Sequence, residues 1–282
     1  MKRRAYAKIN LSLDVIAKRE DGYHDLRTVM VPLQLHDLIS LEIAEDYSFN
    51  ANVRYLDEKK NNIIYQSIEE MRRRYGFKEN FAVDLIKYIP TQAGLGGGSS
   101  DAASTIVLVD RLLKMFLSRS EMEDIAATIG KDVLFCLYGS AALVEGTGEI
   151  ITPIDNNCDF EVLLIKPNQG ISTKMAYGKL AEYDLIHHPA EGMIEALRID
   201  DYKGVVANLG NSFEAVAGDL LPLVPKIKSE LADFGFDGNL LCGSGSCVYG
   251  ITRDKQLCDN AVEHFRKEYP YVWKTKVKRT KR

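Results

Sequence analysis

The chain has 282 residues, 46% of them hydrophobic and 27% charged, enough for one large domain or two medium ones with a core each. A formal net charge of −4 gives no global electrostatic case for a nucleic-acid partner, and no apolar run approaches a membrane span. Cys136, Cys158, Cys242, Cys247 and Cys258 contain no CxxC pair and are odd in number, so the spacing supports neither a zinc site nor a disulfide framework.

Lys2, Arg3 and Arg4 open the chain with no apolar h-region behind them; no secretory signal is read there, and a cytoplasmic protein with reduced thiols is expected. The stretch from Arg3 to Arg19 alternates in part and ends at the turn-forming Asp21-Gly22, which predicts a strand or strand pair. Further extended segments are expected at Leu26–Leu33, Leu38–Ile43 and Phe49–Tyr55. Ile63, Ile64, Ile68 and Met71 stand at helical spacing within Asn62–Tyr75. Phe81–Ile89 is a β-branched and aromatic strand stopped by Pro90. After a glycine-rich run, Ser99, Ser100 and Asp101 are good N-cap residues for a strong helix over Ala102–Phe116. Ser118 with Glu121 forms a capping box for a helix toward Gly130. A short helix or turn from Lys131 to Gly139 and a hairpin around Gly146–Gly148 follow.

Asp155-Asn156-Asn157 is the best break, predicting domains at 1–155 and 156–282. Beyond it a buried strand runs from Glu161 to Pro167, helices are expected at Lys174–Glu182, Ala190–Leu197 and Val224–Phe234, and the run from Asn239 to Thr252 reads as strand, glycine turn, strand. Cys258–Lys267 is a last helix and Val272–Lys278 a last strand. The tail carries Lys274, Lys276, Lys278, Arg279, Lys281 and Arg282, a basic end that reads as solvated. Helices and strands mix without a regular βαβ rhythm, so an α+β fold with two lobes is predicted.

The glycine run carries the chemistry. A helix N-terminus offers unpaired backbone N–H groups and a partial positive charge, and glycines let the backbone approach a bulky anion. Gly94, Leu95, Gly96, Gly97, Gly98, Ser99 and Ser100 supply both features, so phosphate binding is expected. A Walker A loop would need Lys where Ser99 stands, and the dinucleotide fingerprint would need a third Gly there.

The run from Pro90 to Ala103, with its GLGGGSSDAA core, resembles the phosphate loop of the GHMP kinases, a family that includes galactokinase, homoserine kinase, mevalonate kinase and phosphomevalonate kinase. Three more segments agree in order: Ala7-Lys8-Ile9-Asn10-Leu11 with Asp21-Gly22-Tyr23-His24; Gly130-Lys131-Asp132-Val133 with Gly146-Thr147-Gly148-Glu149; and Cys242-Gly243-Ser244-Gly245-Ser246-Cys247. The resemblance implies an N-terminal nucleotide-binding lobe (ribosomal protein S5 domain 2-like), a C-terminal ferredoxin-like lobe, an active site between them, and ATP with Mg²⁺. Within the family it favours a cytidine diphosphate-linked methylerythritol, phosphorylated on its 2-hydroxyl for isoprenoid precursor synthesis.

By the same resemblance Asp132 accepts the hydroxyl proton and Lys8 is the adjacent cation, which would keep the carboxylate ionised and stabilise developing charge. Read alone, Asp132 is a helix N-cap and Lys8 an exposed strand lysine. Asn10 would orient substrate; Tyr23 and His24 would hold the cytosine ring, with Thr173 adding a hydroxyl and Tyr177 the other aromatic wall. Asn62 and Lys87 match nucleotide-contacting positions, although capping and a solvated strand face explain them nearly as well. No residue is assigned to a metal. Gln92, Lys131, Leu134 and Ser212 depart from the family pattern. Gln92 would narrow the phosphate pocket and Lys131 would add a charge beside Asp132. These departures keep open a different small alcohol as acceptor, or a nucleotide-binding relative without catalysis.

Overall fold

The computed structural model describes residues 1–56, 59, 61–184 and 186–280; Lys281 and Arg282 of the basic tail lie outside the described residues. Two compact units emerge, and the chain enters each more than once. The first comprises Met1–Ala7, Leu35–Ile89 and Gly96–Gly139; the second comprises Lys8–Gln34, Pro90–Leu95 and the chain from Ser140 onward. Two long strands, β1 (Lys2–Lys18) and β2 (His24–Ala44), contribute residues to both. The two extended segments expected at Leu26–Leu33 and Leu38–Ile43 are thus one strand. Gln34–Asp37 holds neither Gly nor Pro, and the strand is paired on both sides of it.

In the first unit, residues Leu38–Ala44 of β2 pair antiparallel with β4 (Asn80–Ile86), and β4 pairs parallel with β3 (Ser48–Ala51). β3 is shorter than the stretch expected at Phe49–Tyr55. Helix α1 (Ile63–Tyr75) is capped by Asn62, whose Oδ1 accepts the Ile64 N–H at 3.0 Å, and stops at Gly76 with φ +71°. Its Ile64, Ile68 and Met71 are buried as the spacing requires, each contributing about 1.5–3 kcal/mol of apolar burial. Helix α2 (Gly97–Leu113) packs against α1, α3 (Arg119–Ile129) and α4 (Lys131–Tyr138), and every residue from Ser100 to Asp110 is buried. A helix buried all round belongs at the centre of its unit. The Ser118–Glu121 capping box is present at the start of α3.

In the second unit, β5 (Ala142–Gly146) and β6 (Ile150–Pro153) form the expected hairpin, and β5 pairs with Leu26–Met30 of β2. Next come β7 (Glu161–Lys166), α5 (Thr173–Leu180), α6 (Ala190–Arg198), α7 (Tyr202–Ala207), β8 (Gly210–Asn211), α8 (Glu214–Leu220) and α9 (Leu223–Phe234). The chain ends with β9 (Gly238–Leu241), β10 (Val248–Thr252), α10 (Lys255–Phe265) and β11 (Tyr271–Lys276). The sheet order is β11-β7-β10-β9 with antiparallel neighbours, helices lying between β7 and β9 and between β10 and β11. That is the ferredoxin-like connection, and it confirms the expected α+β class. Leu163, Ile165, Ile227, Leu231, Phe265 and Val272 lie in its core. The short α7, β8 and α8 have no counterpart in the sequence reading. Among the described residues no helix is long and apolar enough to cross a membrane.

Candidate active site

The glycine-rich loop departs from the sequence expectation at its helix. Ser99, Ser100 and Asp101 do not cap α2; they lie inside it. Gly96, at φ +67°, takes the N-cap position, and the first helical bond runs from the Ser100 N–H to the Gly96 carbonyl at 2.9 Å. A left-handed cap is open to glycine at little cost, so the helix begins earlier than hydroxyl caps alone would place it. The N–H groups of Gly97, Gly98 and Ser99 therefore precede the first helical bond, the arrangement that receives a phosphate. Ser100 turns its hydroxyl back to the Gly97 carbonyl at 3.0 Å.

Within the second unit, the loop residues Gly94 and Leu95 stand beside a polar face of β1. Lys8, Asn10, Ser12 and Asp14 alternate with Ala7, Ile9, Leu11 and Leu13, and all eight are buried. Lys8, only 4% exposed, is not the solvated lysine a lone reading suggests: its Nζ donates to Asn10 Oδ1 at 3.1 Å, and its N–H donates to the Leu95 carbonyl at 3.0 Å. Asn10 donates onward to Thr28 Oγ1 at 2.8 Å, and Thr28 to the Ser12 carbonyl at 2.6 Å. The buried Tyr249 hydroxyl donates to the Asn10 carbonyl at 2.9 Å. Lys8 and Asn10 are held from both sides in single orientations.

A second glycine turn, Cys242–Cys247, closes on the first. A Cβ on Gly94 would lie 1.9 Å from the Cys242 carbonyl oxygen, so only glycine permits this approach. The turn is fixed by Asn211, whose Nδ2 donates to the carbonyls of Leu241 (2.9 Å) and Gly243 (2.8 Å). Ser244 shares a 2.9 Å hydrogen bond with Thr173 at the start of α5.

One turn further along α5, Tyr177 stacks on His24 with ring centroids 4.7 Å apart and meets the edge of Phe213 at 4.8 Å. No space of ring thickness separates His24 from Tyr177. Burial, with Lys18 nearby, lowers the His24 pKa, favouring the neutral imidazole. Tyr23 is 57% exposed beside this pair in sequence. Asp132 lies in the first turn of α4 in the first unit, half-buried; Gly130 rather than Asp132 is the N-cap.

Lys87 proves neither solvated nor on a strand face. It follows β4, is 8% exposed, and places its Nζ against Asp37 Oδ2 and 2.7 Å from Asp101 Oδ2. Burial pushes the Asp101 carboxyl up to about 7, against the pull of Lys87 and with that of Asp37. Burial would lower Lys87, but the two carboxylates outweigh it and its pKa is raised. Two buried acids beside one ammonium explain both directions.

Comparison with known proteins matches residues 62–140 to the GHMP kinases N terminal domain and residues 193–270 to the GHMP kinases C terminal domain. A 4-diphosphocytidyl-2-C-methyl-D-erythritol kinase of Bacillus cereus (strain B4264) is 38% identical over 88% of this chain and 86% of its own length. The chain belongs to the GHMP kinases. A crystal structure of 4-(cytidine 5′-diphospho)-2C-methyl-D-erythritol kinase aligns with a TM-score of 0.84 at 29% identity, covering 98% of this chain and 99% of that one. A crystal structure of L. major mevalonate kinase shares the fold, at TM-score 0.75 and 15% identity over 100% and 97% of the two chains.

As a GHMP kinase the protein is a phosphotransferase with ATP as donor. The departures from the family pattern each find a place in the fold. Lys131 is exposed at the start of α4, and Leu134 is buried in the first unit. Ser212 bonds the backbone of β1 at Val15 N–H (3.0 Å) and the Leu13 carbonyl (3.3 Å), where an aspartate would bring a charge into a site 3% exposed. Gln92 adopts φ +52° and packs against Gly170, whose added Cβ would lie 2.9 Å from Gln92 Oε1. Sequence reasoning missed Thr28, Asp37, Asn211 and Tyr249, which act through contacts far along the chain; Asp37 and Lys87 are 50 residues apart.

Proposed function

We propose that this GHMP kinase transfers the γ-phosphoryl group of ATP to the 2-hydroxyl of 4-diphosphocytidyl-2-C-methyl-D-erythritol, a step of non-mevalonate isoprenoid precursor synthesis. The identity with the Bacillus cereus kinase over 88% of the chain carries the reading. In it, the N–H groups of Gly97, Gly98 and Ser99, with Gly94, Leu95, Gly96 and Ser100, bind the donor's phosphates. Asp132 accepts the proton of the attacking hydroxyl, and Lys8, oriented by Asn10, supplies positive charge to the developing oxyanion. Asn10 also orients the acceptor. Tyr23, His24, Thr173 and Tyr177 hold the cytidine; because His24 covers Tyr177, a base that stacks on Tyr177 displaces His24 from it. Asn62 and Lys87 belong to the nucleotide's surroundings.

Magnesium enters this reading with the nucleotide. In it the ion is held chiefly by phosphate oxygens and water. When bound, the ion would neutralise phosphate charge. Residues 1–155 and 156–282 form the two domains of this reading, supported by family matches that fall on either side of residue 155. The enzyme acts in the cytoplasm.

The test is ATP turnover with Mg²⁺ and 4-diphosphocytidyl-2-C-methyl-D-erythritol, beside Asp132→Ala. Wild-type turnover should fall about 10²–10⁴-fold in the variant. Wild-type protein that binds ATP yet leaves this alcohol untouched would refute the acceptor, and an active Asp132→Ala would refute the base.

A further inference from the structure

Residues 90–96 of the phosphate loop hang between two stems, the segment Lys87–Ile89 after β4 and the first turns of α2. Both stems are tied to one buried cluster in the first unit. Asp37, on β2 and 0% exposed, accepts the N–H groups of Tyr88 (2.6 Å) and Ile89 (2.8 Å) through Oδ1, while its Oδ2 meets Lys87 Nζ. Lys87 then reaches across to Asp101 Oδ2 in the second turn of α2 at 2.7 Å. The first residue of α2 sits directly on this cluster: a Cβ on Gly97 would lie 3.0 Å from Lys87 Nζ and 2.9 Å from Ile89 Cγ2.

Such an ammonium, buried and bonded to two carboxylates, is committed inside the protein. Asp101 also faces Asp37, which helps raise its pKa, so the three groups form one coupled cluster. What it does achieve is to fix the two stems against each other, and with them the free N–H groups of Gly97, Gly98 and Ser99 at the start of α2.

We propose that Asp37, Lys87 and Asp101 are positioning residues that lock the two stems of the phosphate loop, and that Lys87 serves ATP binding through the loop's backbone and not by touching the nucleotide. The proposal rests on the kinase reading above and refines the place of Lys87 in it.

The experiment measures ATP affinity of the full chain by calorimetry with saturating Mg²⁺ and no acceptor, for wild type, Asp101→Asn, and Asp101→Asn combined with Lys87→Met. The double variant makes positions 87 and 101 neutral while Asp37 keeps the N–H groups of Tyr88 and Ile89, and circular dichroism confirms its fold. Asp101→Asn should weaken ATP about tenfold, the coupling expected within one network, and adding Lys87→Met should cost no more than about threefold further. In turnover assays the KM for ATP should rise more than kcat falls. Unchanged affinity in Asp101→Asn overturns the proposal. A further loss greater than threefold on removing Lys87 also overturns it, since the ammonium would then contribute by itself. Wild-type protein that fails to bind ATP would bring down the kinase reading, and this inference with it.

Discussion

Substituting Gly94 by alanine should damage catalysis as well as stability, and a second glycine provides the control. Gly94 and Gly76 have nearly the same backbone, φ +74° and +71°, so alanine at either incurs the left-handed penalty of about 1–2 kcal/mol. They differ in surroundings. A Cβ on Gly76 meets nothing within 4 Å, whereas one on Gly94 would lie 1.9 Å from the Cys242 carbonyl oxygen. Real Cβ contacts stay beyond 3.0 Å, so one loop must shift by at least 3.0 − 1.9 = 1.1 Å. The Cys242 turn resists that shift, because Cys242 bonds Cys247 and Gly245 through its backbone and Asn211 holds the carbonyls on either side of it. The phosphate loop must therefore give way. Displacement of about 1 Å in a positioning element lowers rates about 10²-fold. Urea unfolding and steady-state kinetics of both variants provide the assay. Gly76→Ala should lose about 1–2 kcal/mol and keep its kcat/KM; Gly94→Ala should lose at least as much stability and about 10²-fold in kcat/KM. Equal kinetics for the two variants would show that the close approach of the glycine turns does not set the loop's geometry.

Two further outcomes test other parts of the structure. Tyr177→Ala should raise the KM for the cytidine-bearing acceptor by about ten- to a hundredfold while leaving the KM for ATP alone, the size of one base stacked on an aromatic ring; an equal rise in both would place Tyr177 in general support of the fold. Glu70, bonded to Arg73 and Arg74, has its carboxyl held down to about 2 from 4.5. A depressed carboxyl stabilises the fold above its unfolded pKa and loses that contribution as pH falls through the folded one. Because these pairs lie near solvent, Glu70→Gln should cost about 0.5–1 kcal/mol, constant from about pH 7 to 5 and vanishing toward pH 2. Denaturant unfolding at several pH values would refute this with a difference that does not change.

Local patterns made much of this protein legible without coordinates. The spacing of Ile64, Ile68 and Met71 specified the buried stripe of α1, and Ser118 with Glu121 specified the start of α3, because both depend on neighbours within one or two turns. The glycine run announced a backbone that must approach an anion, and the motifs at Lys8, Asp132 and Cys242 announced the GHMP kinases. Tertiary structure decided what depends on partners distant in sequence. Nothing near Lys87 in the chain supplies Asp37, and nothing near Gly94 supplies the Cys242 carbonyl that only a glycine can meet. The start of α2 moved to Gly97 because a left-handed Gly96, packed where it is, caps the helix ahead of the serines. Lys8 reads as an exposed lysine in isolation; its burial and its bond to Asn10 exist because β1 is covered on both faces. Sequence determined where a glycine-rich backbone would open a helix, and the packing of distant segments determined which of its residues are held still.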